Sequence, residues 1–363
     1  MRSPAAAFLA TWAVSVSAAW AEFSPFLVDA TGGSQHNPDA SGSLVVWEEF
    51  VDGHYVIRGK DLPGGSTFVV EEPNTSLVGV VADGGLVLWS DSRSGDADIR
   101  ALDLGTGEHW VVVDEPRNQG RAAIDGSIIV WQDARSSPDH VPPEFSNRDI
   151  YALDLRTGQE FAVCTALWDQ EDPAVSGDII VWADYRRANP ILNPLISDIY
   201  GYDLSTGREF LIASADDDVR QVKPAISGSI VVWADMHNGG DIWGHDLDTN
   251  TSFPICVNPY GQKDVDIDGR YVVWEDWRNG VDKDIWGYDL LTGTQFPIYQ
   301  GPGNQGDPSI SGNLVVWDFS APGDQDRVWG AYIPEPATAA VLCLGLAGLL
   351  VQGRRRRASR RSP

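Results

Sequence analysis

Six glutamines, Gln35, Gln119, Gln170, Gln221, Gln262 and Gln305, each stand twelve residues before a tryptophan, and only Leu77 breaks the series. A primary amide carries two donors and an acceptor oxygen. A ring of them could hold a hydroxylated ligand, or could bond neighbouring backbone and brace it. Asp91, Asp133, Asp184, Asp235 and Asp276 follow their tryptophans by two residues, and Arg93, Arg135, Arg186 and Arg278 follow by four, with His237 in place of one arginine. A charge pair copied from unit to unit reads as scaffold, because an active site needs a single copy. Asp282 with Asp284, and Asp324 with Asp326, are oxygen pairs of the kind that can contribute to a Ca²⁺ site; no other cofactor is implied. His36, His54, His109, His140, His237 and His245 lack metal-ligand spacing. The chain also has no His-Glu-x-x-His, no Gly-x-Ser-x-Gly and no phosphate-cradling glycine loop. These residues favour binding over catalysis.

The elements that must position them are repeats. Trp47, Trp89, Trp131, Trp182, Trp233, Trp274 and Trp317 each lie five residues after a glycine, and that glycine always follows Ser or Asp, a turn signal. Runs such as Ile179-Ile180-Val181-Trp182 suit strands covered on both faces. With a third strand (Ile199 to Leu204), a Thr206-Gly207 turn and a fourth strand (Glu209 to Ile212), each unit makes one four-stranded blade. The expected fold is all-β, a seven-bladed β-propeller over residues 22–333. The last unit ends at Ile333 without a fourth strand, and Phe26-Leu27-Val28 is the piece that would supply it and close the ring.

Departures from the repeat mark the candidate ligand face. The third and fourth units carry long loops between their second and third strands, Ser136 to Arg148 and Arg187 to Ser197. These emerge on the same face as the glutamines. His140, Phe145, Tyr185, Leu192 and Leu195 lie in or beside them, and Trp168 precedes the fourth unit. Loops on a rigid scaffold are where binding residues concentrate. The sequence-level candidates are therefore the six glutamines with His140, Trp168 and Tyr185.

The whole chain has a formal charge of −26, and residues 22–333 hold 19 basic against 51 acidic residues. Such a body lacks the basic footprint that nucleic acid requires, and its field disfavours anionic lipid or strongly acidic glycans without a bridging cation. Cys164 and Cys256 end the outer strands of non-adjacent blades, too far apart for a disulfide. Residues 1–21, with Arg2, an apolar run and Ala19-Trp20-Ala21, read as a secretory signal peptide.

Residues 334–363 change character. Pro334-Glu335-Pro336, fifteen mostly apolar residues and Arg354-Arg355-Arg356-Arg357 resemble the PEP-CTERM sorting signal of Gram-negative bacteria that make extracellular polysaccharide. The apolar run is short for a stable span, and the arginines set its C-terminus in the cytoplasm. The resemblance implies a short apolar helix, transient anchorage in the inner membrane, an exosortase-type processing peptidase as partner, and delivery to the cell surface or matrix. The repeats, for example Trp274-Glu275-Asp276-Trp277-Arg278-Asn279-Gly280 leading to Asp284-Ile285-Trp286, are similar to TolB-like and surface-layer propeller repeats. That likeness implies fold and leaves function open. The expected role is a non-enzymatic surface protein engaging polysaccharide or protein partners. The alternatives are a polysaccharide lyase or hydrolase with its site at the channel mouth, and a periplasmic assembly partner.

Overall fold

The computed structural model describes residues 23–30, 32–74, 77–137, 147–188, 196–214 and 219–334. The signal-peptide reading and the tail beyond Pro334 lie outside them. Seven antiparallel sheets of four strands form the seven expected blades. In the first blade, Ser34–Ser41 is innermost and Leu44–Val51, His54–Asp61 and Phe68–Asn74 follow outward in chain order. The described residues contain one short 3₁₀ turn, His237–Gly239, and no helix long and apolar enough to cross a membrane.

Each second strand is covered by a neighbour on both faces, which is why its residues run apolar instead of alternating. All seven repeat tryptophans are buried, and they rank among the largest fully buried side chains. Each blade's core also includes residues of the next blade: Val130, Ile150 and Val163 of the third pack with Val175, Ile180 and Trp182 of the fourth. Burying a side chain of this size contributes about 1.5–3 kcal/mol, so the blade seams carry much of the stability.

The seventh blade consists of Asn304–Ser311, Leu314–Ser320, Arg327–Tyr332 and, outermost, Phe26–Leu27. Phe26 pairs with Gly330 and Leu27 with Trp329. Val28 is fully buried at the seam between blades seven and one, among Val45, Trp47, Leu314 and Val328. Lys60 Nζ donates to its carbonyl at 2.5 Å.

On the face opposite the long loops, the Ser or Asp before each turn glycine accepts a hydrogen bond from the glycine N–H of the next blade. Ser41 accepts from Gly84, Asp83 from Gly126, Asp125 from Gly177 and Ser176 from Gly228. Ser227 accepts from Gly269, Asp268 from Gly312, and Ser311 from Gly42 across the chain's ends. The seven distances run from 2.5 to 3.1 Å. The turn signal in the sequence is therefore also an inter-blade clamp.

Candidate functional site

The six glutamines do not form a solvent-facing collar. Gln35, Gln119, Gln170, Gln262 and Gln305 are fully buried and Gln221 nearly so. Gln119 Nε2 donates to the carbonyl of Arg117 at 2.9 Å, Gln170 to Trp168 at 2.9 Å, Gln262 to Tyr260 at 3.4 Å and Gln305 to Gly303 at 2.9 Å. Gln35 instead accepts from Val328 N–H, and Gln221 approaches Asp235 at 3.5 Å. Arg117, Trp168 and Tyr260 have φ of 74°, 72° and 74°, a left-handed backbone that side chains other than Gly, Asn and Asp avoid. Gln119, Gln170 and Gln262 thus brace the strained residue two positions earlier, where the chain crosses from blade to blade.

The channel is lined two residues after each glutamine position. Every innermost strand slips register there against its neighbour, as between Gly120 and Ala123 or Glu171 and Ala174. The extra residue of each bulge is Asn37, Gly79, Arg121, Asp172, Lys223, Asp264 or Asp307, and all seven have φ between 44° and 69°. Strained backbone carrying a charged side chain is a pointer to function. Arg121 Nη1 pairs with Asp172 at 2.7 Å across blades three and four, and Lys223 pairs with Asp264 across blades five and six. Asp307 is exposed.

A cavity of 1360 Å³ fills this mouth and extends over blades two and three. On that side blade two presents Gly79 where the other blades present a charged or amide side chain, and blade three has Gly120, a glycine that only blade seven repeats, as Gly306. Its wall includes Asn118, Gln132, Ser137 and Arg148. Arg148 is the described end of the long loop in blade three, and it pairs with Glu171 of blade four. Leu77, the one break in the glutamine series, thus belongs to the blade at which the cavity opens.

Of the remaining candidates, Trp168 is half-buried, and its N–H donates to Asn147 Oδ1 at 3.0 Å. Tyr185 packs at the seam between blades four and five, and burial pushes its phenol up to about 12. His140, Phe145, Leu192 and Leu195 lie outside the described residues, so only the feet of the two long loops are placed.

The Asp-x-Arg pairs are internal braces. Asp133, Asp184 and Asp276 each accept from their tryptophan's indole N–H at 2.8 Å and also hold the arginine. The guanidinium of Arg135 stacks on Tyr151, that of Arg186 on Tyr200 and that of Arg278 on Trp286. Arg186 and Arg278 reach back to Cys164 and Cys256 of the preceding blade, both at 3.2 Å. Both cysteines are free, and burial pushes each thiol up to about 12.

Carboxyls crowd the opposite arc of the channel. Asp266 is pushed up to about 7 by burial and by Asp39, whose Oδ1 accepts from Ser309 at 2.8 Å. Glu275 reaches about 7 through burial and Asp264, with Lys283 Nζ bonded to it at 2.8 Å; Asp318 reaches about 7 through burial and Asp307. An unfolded chain ionises these groups near pH 4, while the folded chain holds their protons to about pH 7, so stability falls as pH rises through that window. Asp266→Asn and Asp318→Asn are each expected to recover about 1 kcal/mol at pH 8 and almost nothing at pH 4. Urea midpoints at the two pH values check this, and an equal gain at both would rule it out. Among the described residues no three His, Cys, Asp or Glu side chains gather closely enough to hold a metal. Asp282 and Asp284 instead share Asn279 Nδ2 as a donor.

No protein-family model and no curated protein sequence matches the chain. Its fold is shared with several solved structures. An oligogalacturonate lyase in complex with manganese aligns over 86% of this chain and 96% of its own, with 14% identity and a TM-score of 0.61. The β-propeller domain of the Trilobed protease from Pyrococcus furiosus aligns over 84% and 97%, with 12% identity and a TM-score of 0.64. A puromycin-hydrolyzing peptidase of Mycobacterium tuberculosis aligns at 14% identity and a TM-score of 0.61 over 84% of this chain, which spans about half (52%) of that longer protein. The fold is thus similar to that of peptidases and of a lyase.

Proposed function

We propose that the protein is a non-enzymatic binding propeller whose channel-mouth cavity takes a hydroxyl-rich polymer, an extracellular polysaccharide in the first instance. The observation that carries this reading is the cavity itself. Its volume exceeds the 300–1,000 Å³ usual for small-molecule pockets, and three of its four basic residues, Arg121, Arg148 and Lys223, are already paired with acids across blades. Together with Arg117, the rest of the lining is a mosaic of amides, hydroxyls and carboxylates, suited to hydrogen-bonding hydroxyl groups at little ordering cost.

Gly120 has an ordinary backbone, and a Cβ there would meet only Ser90 Oγ, at 3.4 Å. Gly120→Phe is therefore expected to narrow the cavity and weaken glycan binding by about tenfold or more, roughly 1.4 kcal/mol, with little change in thermal midpoint. A glycan array followed by calorimetry on the full chain checks this, and unchanged affinity would remove the cavity from consideration.

A second reading, turnover of the polysaccharide by a lyase or hydrolase, has one observation in its favour. Glu275 and Asp318 titrate near neutrality beside Lys283, as an acid or base would. Release of shortened glycan in the same assay would replace the first reading with the second.

The address belongs to the same proposal: export by residues 1–21, then sorting through residues 334–363 by an exosortase-type peptidase to the surface or matrix. A chain ending at Ile333 that still partitions with the membrane would refute the sorting part.

A further inference from the structure

We propose that Tyr260, Trp277 and Lys263 form a subsite for a carboxylate-bearing sugar ring, which makes the ligand an acidic polysaccharide of the uronic-acid class. The inference rests on the cavity reading above and narrows its substrate.

Two aromatic residues stand out on the loop-bearing face of blade six. Tyr260 is 60% exposed and Trp277 is 37% exposed, in a fold whose repeat tryptophans are all buried. Neither is a loosely tethered surface side chain. Tyr260 is held in its left-handed backbone by the Gln262 amide, and a Cβ on Gly280 would sit 3.2 Å from its ring carbon Cζ. The backbone N–H of Trp277 donates to the Gly261 carbonyl at 2.9 Å, and its backbone carbonyl accepts from Gly280 N–H at 2.8 Å. A Cβ on Gly261 would lie 3.5 Å from Trp277 Cε3, so glycines at 261 and 280 let the two rings lie close against backbone. A flat indole with a phenol on the same face of the blade suits the C–H face of a sugar and one of its hydroxyls.

The charge beside this platform selects among sugars. Lys263 Nζ lies 4.8 Å from the centre of the Trp277 ring, and Lys283 Nζ lies 5.8 Å from it. Lys283 is committed to Glu275. Lys263 stands across the strand pair from Glu275 and acts on that carboxylate electrostatically, but Lys283 makes the close bond to it. An ammonium without a close partner of its own among the described residues, resting against an exposed indole, is a local counter-charge for a ligand carboxylate in a body whose acids outnumber its bases 51 to 19. Lys263 directly precedes Asp264 of the cavity wall, so a polymer lying in the mouth would reach it. A neutral glycan would use the ring but not the cation, and a peptide carboxylate would use the cation but not the ring.

The test titrates the full chain with a uronic-acid tetrasaccharide and a neutral glucose tetrasaccharide, by calorimetry and tryptophan fluorescence. The uronate is expected to bind at least about tenfold tighter at low salt, with the preference shrinking as salt screens the pair. Trp277→Ala is expected to weaken both ligands, while Lys263→Ala abolishes the preference and leaves the neutral ligand unchanged; Lys263→Arg retains it. Tyr260→Ala, at an exposed position, weakens both ligands and serves if Trp277→Ala folds poorly. If neither saccharide binds the wild-type chain, the cavity reading fails and the subsite falls with it. If both bind and are weakened by Gly120→Phe but not by the Trp277 or Lys263 variants, the subsite is overturned while the cavity reading stands.

Discussion

Asp276→Ala costs the propeller about 3–5 kcal/mol, the penalty typical of breaking a buried ion pair from one side. The carboxylate is fully buried and serves five donors: the indole N–H of Trp274 at 2.8 Å, the backbone N–H, Nε and Nη2 of Arg278, and the Cys256 thiol at 3.7 Å. Alanine leaves that guanidinium sandwiched between Trp286 and the Cys256 sulfur with no counter-charge, and it orphans a buried indole N–H as well. Asp235→Ala in blade five is the internal control. There His237 replaces the arginine, Asp235 is only half-buried, and its short-range donor is the backbone N–H of His237 at 3.0 Å. The expected cost is about 1 kcal/mol. Urea unfolding of the two variants at pH 7 decides the matter, and equal costs would mean that the aspartate-arginine brace contributes nothing beyond an ordinary turn bond.

Removing residues 23–30 is expected to cost at least as much, although those residues supply only a two-residue strand. Val28 accounts for about 1.5–3 kcal/mol by burial alone, and the segment adds several further contacts. Val28 N–H donates to the Val328 carbonyl at 3.0 Å, Lys60 Nζ donates to the Val28 carbonyl, and Thr67 donates to Asp29 at 2.9 Å. Phe23 stacks on Phe296 of blade six at 5.8 Å, and Phe26 stacks on Tyr332 at 5.7 Å. Without them the third strand of blade seven becomes a bare sheet edge, prone to pair with another chain. Thermal unfolding should show a marked drop in midpoint together with concentration-dependent association, whereas a monomer melting at the wild-type temperature would show that the seam closes by other means.

Most of the architecture was legible because the blade repeat writes its strongest signals at fixed offsets. A glycine needed for a turn, a β-branched run covered on both faces and a tryptophan too large to expose recur together, and they count the blades unaided. The Phe26–Val28 closure was readable for the complementary reason that one unit lacked a strand. The candidate site was much less legible. Strand alternation predicts that Gln119 and Arg121 share a face, but the bulge at Arg121 breaks that parity and sends one inward and the other to the channel. A trace was present in the sequence: Val265 and Ile267, the buried apolar pair, stand three and five residues after Gln262, odd offsets that an unbroken strand would not put on the buried glutamine's side. The Tyr260–Trp277 platform left no comparable mark, since its neighbours come together only when two crossings fold side by side. Nor could the reach of the Ser/Asp turns into the next blade be read locally, because a side chain's partner some 43 residues away depends on how two blades dock.

Those seven turn bonds all run in one direction, each blade giving an acceptor to its successor, and Ser311 to Gly42 is the same hydroxyl bond that Ser41, Ser176 and Ser227 make. A circuit of this kind has no first member. As far as that face is concerned, the place where the backbone is interrupted is an accident of the gene: joined at its present ends and opened between any other two blades, the chain would meet the same seven demands. The folding information there is cyclic, while the polypeptide that carries it is linear.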